Sequence, residues 1–248
     1  VNQASGQDDP TNVDSATFTV VFDEAIDPTT FTAGDISLTG TTGTVTSGPT
    51  TSDNITWSFT VTGMTDGDTV VASLGAGVVT DVAGNDNTAS TSTDNEVTYD
   101  VSGPDVTVNQ ASGQDDPTNV NSATFTVVFD EAIDPTTFTA GDISLTGTTG
   151  TVTSGPTTSD NITWSFTVTG MTDGDTVVAS LGAGVVTDVA GNDNTASTST
   201  DNEVTYDVSG PDVTVNQASG QDDPTNVDSA TFTVVFDEAI DPTTFTAG

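Results

Sequence analysis

Ile55-Thr56-Trp57-Ser58-Phe59-Thr60-Val61-Thr62 alternates apolar and polar side chains without a break. A period of two puts Ile55, Trp57, Phe59 and Val61 on one side of an extended chain and the hydroxyl residues on the other, the pattern of a half-buried antiparallel strand. Ser15-Ala16-Thr17-Phe18-Thr19-Val20-Val21-Phe22 repeats it, with Phe18, Val20 and Phe22 facing inward. Both stretches are rich in the β-branched and aromatic residues that suit a pleated surface. Further strands are predicted at 35–39, 43–46, 68–74, 96–101 and Val106–Gln110, separated by clusters of Gly, Pro, Asp and Asn. Helix is limited to at most one turn within 28–33. Seven short strands in about 100 residues, with no cysteine pair, predict an all-β, immunoglobulin-like β-sandwich.

The pattern recurs. A shift of 107 residues superimposes Val1 on Val108 and Val108 on Val215, and the copies differ only where Asp14, Asn121 and Asp228 align. Such a period is too long for a solenoid unit and fits one small domain. Boundaries are expected at Asp100-Val101-Ser102-Gly103-Pro104-Asp105 and at Asp207-Val208-Ser209-Gly210-Pro211-Asp212. They divide the chain into repeats at 1–101 and 102–208 and an incomplete third repeat at 209–248, so that the sequence reads as a segment of a longer polypeptide. A proline and a glycine in so short a joint predict restricted geometry, with some freedom left by the glycine.

The charge is one-sided: 37 of 248 residues are acidic, and there is no lysine, arginine or histidine. Side-chain salt bridges are therefore excluded. Nucleic acid is not expected as a partner, because no basic group can neutralise its phosphates. An anionic membrane surface would repel the chain, and no apolar run reaches the ~18 residues of a membrane span. Without cysteine there are no disulfides. A catalytic reading lacks a His base, a Cys nucleophile and a Lys. Its remaining acids lie on turns, away from the apolar pocket that raises the pKa of an acid catalyst. The outward threonines read as soluble β-formers, and the competing reading is a flat Thr-x-Thr array, as at Thr56, Thr60 and Thr62, that binds ice or a sugar.

Topology places the acids. Successive antiparallel strands put alternate loops at opposite ends of a sandwich. The far end of the first repeat receives Gln7-Asp8-Asp9-Pro10, the turn bearing Asp66 and Asp68, and Asp100. The near end receives Asp23, Glu24 and Asp27 with the loop carrying Asp81, Asn85 and Asp86. Stacked end to end, Asp100 and linker residue Asp105 meet Asp130, Glu131, Asp134, Asp188, Asn192 and Asp193 of the second repeat, and Asp207 and Asp212 stand at the next joint. Carboxylates at that density repel one another by roughly 4 kcal/mol per pair at about 4 Å in a surface dielectric. A hard divalent cation reverses the sign. Oxygen donors from Asp, Glu, Asn and backbone suit calcium, whereas zinc and copper favour the His and Cys that the chain lacks. Calcium, pinning one repeat to the next, is the expected cofactor.

The unit resembles the bacterial immunoglobulin-like tandem repeats of large calcium-dependent surface adhesins of the RTX and biofilm type. The residues that carry the resemblance are Phe18-Thr-Val-Val-Phe-Asp-Glu24, Phe31-Thr-Ala-Gly-Asp35-Ile-Ser-Leu-Thr-Gly40, Asp66-Gly-Asp-Thr-Val-Val-Ala-Ser73 and Gly75-Ala-Gly-Val-Val-Thr-Asp81-Val-Ala-Gly-Asn85, with their copies. The resemblance implies an extracellular stalk at a bacterial cell surface, stiffened by calcium, whose partners are its neighbouring repeats and a cell-surface or matrix context supplied by other domains. The competing function is a calcium-dependent carbohydrate- or surface-binding adhesion module, which would need an exposed threonine or tryptophan face.

Overall fold

The computed structural model describes residues 1–246. The first repeat contains β1 (Asn2–Gln3), β2 (Ala16–Val21), β3 (Ile36–Thr39), β4 (Thr44–Thr51), β5 (Thr56–Thr62), β6 (Thr69–Leu74) and β7 (Glu96–Thr98). The second contains β8 (Val106–Gln110), β9 (Ser122–Phe129), β10 (Ile143–Thr146), β11 (Thr151–Thr158), β12 (Thr163–Thr169), β13 (Thr176–Leu181) and β14 (Glu203–Thr205). In each repeat four strands form one antiparallel sheet, in the order β1-β2-β5-β4 or β8-β9-β12-β11, and three form the other, β3-β6-β7 or β10-β13-β14. This four-plus-three arrangement is that of a constant-type immunoglobulin sandwich.

The alternation that defines β2 and β5 also sets their register. Phe18 lies opposite Phe59 and Val20 opposite Trp57, so every inward residue meets another inward residue. The rings of Phe18 and Phe59 stack at 5.4 Å, and Trp57 meets Phe31 edge-on at 5.3 Å. Phe18, Phe59, Val61, Val70 and Val97 are all but fully buried, and each such side chain contributes about 1.5–3 kcal/mol on leaving water. Trp57 and Trp164 are each 4% exposed; they are core residues, and neither offers an aromatic platform to a ligand.

Three elements depart from the expected pattern, the first being β7, which stops at Thr98 and not at 101. The helical turn lies at Ala33–Asp35 in 3-10 form, because the Asp35 carboxylate reaches back to accept from the Thr32 N–H and hydroxyl, both at 2.8 Å. β4 runs on through Gly48-Pro49 to Thr51, past the expected end at 46. It is an edge strand whose register shifts between Val45 and Ser47 and again between Ser47 and Thr50. Such irregular edges accept a proline that a central strand would reject.

In the third repeat β15 (Val213–Gln217) pairs with β16 (Phe232–Phe236). Val215 is 60% and Phe232 63% exposed, whereas their counterparts Val108 and Phe125 are fully buried. An identical pair of strands thus builds a core only when the rest of the repeat covers it.

Candidate functional site

The first and second repeats meet at a joint built from loops at their ends. From the first repeat come the turn after β5, which carries Asp66, and the segment after β7, which ends in Asp100. From the second come the segment after β9, with Asp130 and Glu131, and the loop after β13, with Asp188 and Asn192. The two second-repeat segments are tied together: Ile133 bridges Asp188, and Asp134 N donates to Thr187 O at 2.9 Å.

Asp100, Glu131 and Asp188 each direct a carboxylate oxygen into one cluster in which the three atoms lie within 4.8 Å of one another. Asp188 is 2% exposed, and its carboxylate accepts from Asn192 N and Nδ2, both at 2.8 Å. The same Asn192 Nδ2 reaches across the joint to Asp100 O at 3.0 Å. Asp66 braces the linker by accepting from Val101 N at 2.9 Å and the Ser102 hydroxyl at 2.6 Å. Burial and then the charges of Asp100, Asp188, Asp130 and Asp66 push the Glu131 carboxyl up to about 7. Asp100 is also raised, by burial first and then by Asp188 and Asp66, against the opposing Ser102 N–H. No hydrogen bond to the Glu131 carboxylate forms among the described residues. Three converging carboxylates, with the Asp100 carbonyl nearby, are a donor set that fits a hard cation taking six to eight oxygens.

The remaining candidate residues divide by role. Asp105 and Asp130 lock the linker onto the second repeat: Asp105 N donates to Asp130 Oδ1 at 2.8 Å and Asp130 N to Asp105 O at 3.0 Å. Asp134 and Asp27 cap turns by accepting from Thr136 and Thr29. Asp68 accepts from Thr41, Thr42 and Thr65, fastening two loops of its own sandwich. Asp193 presents its backbone carbonyl to the linker. Asp23, Asp81 and Asn85 form the near end of the first repeat, where Asp81 accepts from Asn85 Nδ2 at 2.7 Å as Asp188 does from Asn192. Asp207 and Asp212 stand at the next joint, where Asp212 N donates to Asp237 Oδ1 at 2.7 Å and the exposed Glu238, the counterpart of Glu131, is raised by some loss of hydration, then by Asp207, Asp237, Asp173 and Asp212.

Several joint residues escaped the reading of the sequence. Gly103 is not a source of freedom: a Cβ there would lie 1.9 Å from Asp193 O, so the glycine admits a backbone approach that no side chain allows. The dipeptide Gly103-Pro104 signalled a turn and not this contact. Pro104 is buried, and Thr195 grips the linker through its N–H to Pro104 O and its hydroxyl to Asp105. Asn194 is 2% exposed and organises its loop, accepting from Val185 N and Val186 N and donating to Gly182 O and Thr195 O.

The undocked near end of the first repeat is an internal reference. Asp81, Glu24 and Asn85 are more exposed than their identical counterparts Asp188, Glu131 and Asn192. Docking, not sequence, buries the acids.

Residues 2–99 and 100–206 each match the profile of the bacterial Ig-like domain family. Comparison with curated proteins and with solved structures returned no match.

Proposed function

The chain belongs to the bacterial Ig-like domain family, a structural and non-catalytic class, and from that premise we propose that it is a stretch of the extracellular stalk of a bacterial cell-surface adhesin, stiffened by calcium at its joints. The observation that carries this reading is the convergence of Asp100 with Glu131 and Asp188, contributed by two different repeats. A cation held there is a ligand of the docked state alone. Asp100, Glu131 and Asp188 supply the inner oxygens, and Asp66, Asp130 and the Asn192 amide support them from either side. Asp105 and Asp193 set the linker that brings the two halves together. The joint at Asp207, Asp212 and Glu238 repeats the arrangement with the next unit, and Asp23, Asp27, Asp81 and Asn85 present the same surface to a preceding one.

The competing carbohydrate-binding reading loses its aromatic platform, since both tryptophans are buried. The longest strands, of eight residues, span about 27 Å, and a repeat nearer 40 Å with loops. Two repeats and part of a third should therefore scatter in calcium as a rod on the order of 100 Å. A pair of domains folded side by side in calcium would overturn the stalk reading.

A further inference from the structure

Two of the chain's asparagines are followed, two residues on, by a threonine: Asn54-Ile55-Thr56 and Asn161-Ile162-Thr163. No other asparagine has a serine or threonine at that spacing. The triplet is the acceptor pattern for N-linked sugar, which needs a reachable amide on a surface turn. The triplet alone is common, so its surroundings decide. It lies on the turn between β4 and β5, and again between β11 and β12. Neighbours hold that turn. Thr158 Oγ1 accepts from Asp160 N at 3.2 Å and Asn161 N at 2.9 Å, and Asp160 Oδ1 accepts from Ile162 N at 3.0 Å and Thr163 N at 2.8 Å. Thr51 and Asp53 do the same in the first repeat. The asparagine side chain takes no part. Among the described residues neither the Asn54 amide nor the Asn161 amide makes a hydrogen bond, and neither is sealed from solvent. The hydroxyls of the exposed Thr56 and Thr163 are likewise without a partner among them.

The backbone sharpens the question. Both asparagines have a φ of 60°, in the left-handed region that favours glycine. Every other described residue in that region is a glycine. Glycine would serve the turn at least as well, and the amide that stands in its place has no partner inside the fold. The turn also stays clear of the joint. Phe129 N donates to Ile162 O and Ile133 N to Asn161 O, which sets it beside the segment bearing Asp130 and Glu131. Asn161 at the joint is nevertheless half-buried, as Asn54 is at the undocked end, so docking does not cover it.

We propose that Asn54 and Asn161 are N-glycosylation acceptors, one per repeat, at the rim of the joint. The co-substrate is a sugar activated by a phosphate leaving group at its anomeric carbon, carried by a nucleotide or by a lipid. A glycosyltransferase joins Nδ2 to that carbon as the bond from carbon to phosphate oxygen breaks. The phosphate leaves with the bonding pair and Nδ2 gives up one proton, with no change of oxidation state. The threonine hydroxyl two residues on is the group by which such an enzyme reads the site. The inference goes beyond the stalk reading and does not depend on it.

Protein isolated from the cells that make it, cut at acidic residues because trypsin finds no lysine or arginine, should yield glycopeptides spanning Asn54 and Asn161 in mass spectrometry. Single hexoses mark a nucleotide-linked donor, and a preassembled oligosaccharide marks a lipid-linked one. Thr163→Ala, expressed in the same cells, should lose the Asn161 sugar and keep the Asn54 sugar, and Thr163→Ser should keep both. These variants spare the turn, since the N–H at 163 still reaches Asp160, whereas Asn161→Gln would strain the left-handed backbone. Bare asparagines in the native protein, or an Asn161 sugar that survives Thr163→Ala, would overturn the proposal. Either result leaves the stalk standing, because scattering tests it on the unmodified chain.

Discussion

Asp14 Oδ1 accepts the N–H groups of Gly63 and Met64, and Asn121 Oδ1 accepts those of Gly170 and Met171. The one position at which the first two repeats differ thus demands a single acceptor oxygen, which either residue supplies. Trp57 and Trp164 impose a stricter demand. Each ring fills core space, while its indole N–H is buried without a hydrogen-bond partner. Trp164→Ala should cost about 3–5 kcal/mol by leaving a cavity. Trp164→Phe keeps most of the ring volume and removes the unpaired donor, so it should cost less than about 1.5 kcal/mol. Urea denaturation of the variants measures both, and equal losses would show that the indole N–H is satisfied after all. Gly103→Ala tests the joint by itself. Its Cβ collides with the Asp193 carbonyl and should loosen the angle between repeats in scattering without changing the near-UV signal of either core. A variant as stiff as the parent would mean that the close approach does not hold the joint.

The strands were legible because alternation is a local property: β2, β5, β6 and β8 lie where the period-two pattern places them. The full reach of β4 was hidden by Gly48-Pro49, since being at the edge of a sheet is a property of the whole fold. The ends of the repeat were legible by topology, which brought Asp100, Glu131 and Asp188 to one joint. The division of labour among the acids was not legible, because Asp68 and Asp134 spend their carboxylates on threonines that only the folded loops bring near. That division predicts two opposite responses to pH. Glu131, pushed from 4.5 up to about 7 in the joint, favours docking when protonated. Its contribution is complete below its ordinary pKa and is lost as pH rises through about 7. Asp68 and Asp175 are held at about 2, Asp68 chiefly by the Thr65 and Thr42 N–H groups and Asp175 by those of Thr149 and Thr172. Their contribution is complete above 3.8 and is lost as pH falls toward 2. In chelator, energy transfer between dyes on the two repeats should therefore report a tighter joint at about pH 5 than at about pH 8, with both sandwiches folded throughout. Circular dichroism should show the sandwiches weakening only below about pH 4. A joint indifferent to pH across the upper window would place Glu131 in solvent.

A chain with 37 acids and no bases can gain order from cations by two routes, coordination or screening, and the whole molecule distinguishes them. Coordination at Asp100, Glu131 and Asp188 acts only on docked repeats and adds RT ln(1 + [L]/Kd), about 2.7 kcal/mol at a hundredfold excess over Kd. Screening acts on every carboxylate and needs no particular ion. Isothermal titration with calcium, reversed by chelator and run beside melting and scattering, should show uptake, a rise in melting temperature and straightening together. In calcium, Glu131→Gln and Asp188→Asn should each weaken uptake and so loosen the joint relative to the calcium-loaded parent while leaving the sandwiches folded. Asp81→Asn, the same substitution at a near end where this chain places no Asp100 counterpart, should change neither the joint nor its calcium uptake. Sodium chloride is the control, because at about 1 M the Debye length is only about 3 Å and general repulsion is largely gone. If concentrated sodium chloride straightens and stabilises the chain as fully as calcium does, and titration finds no uptake, then the joint acids hold no metal and the charge serves only to keep the stalk soluble in salt.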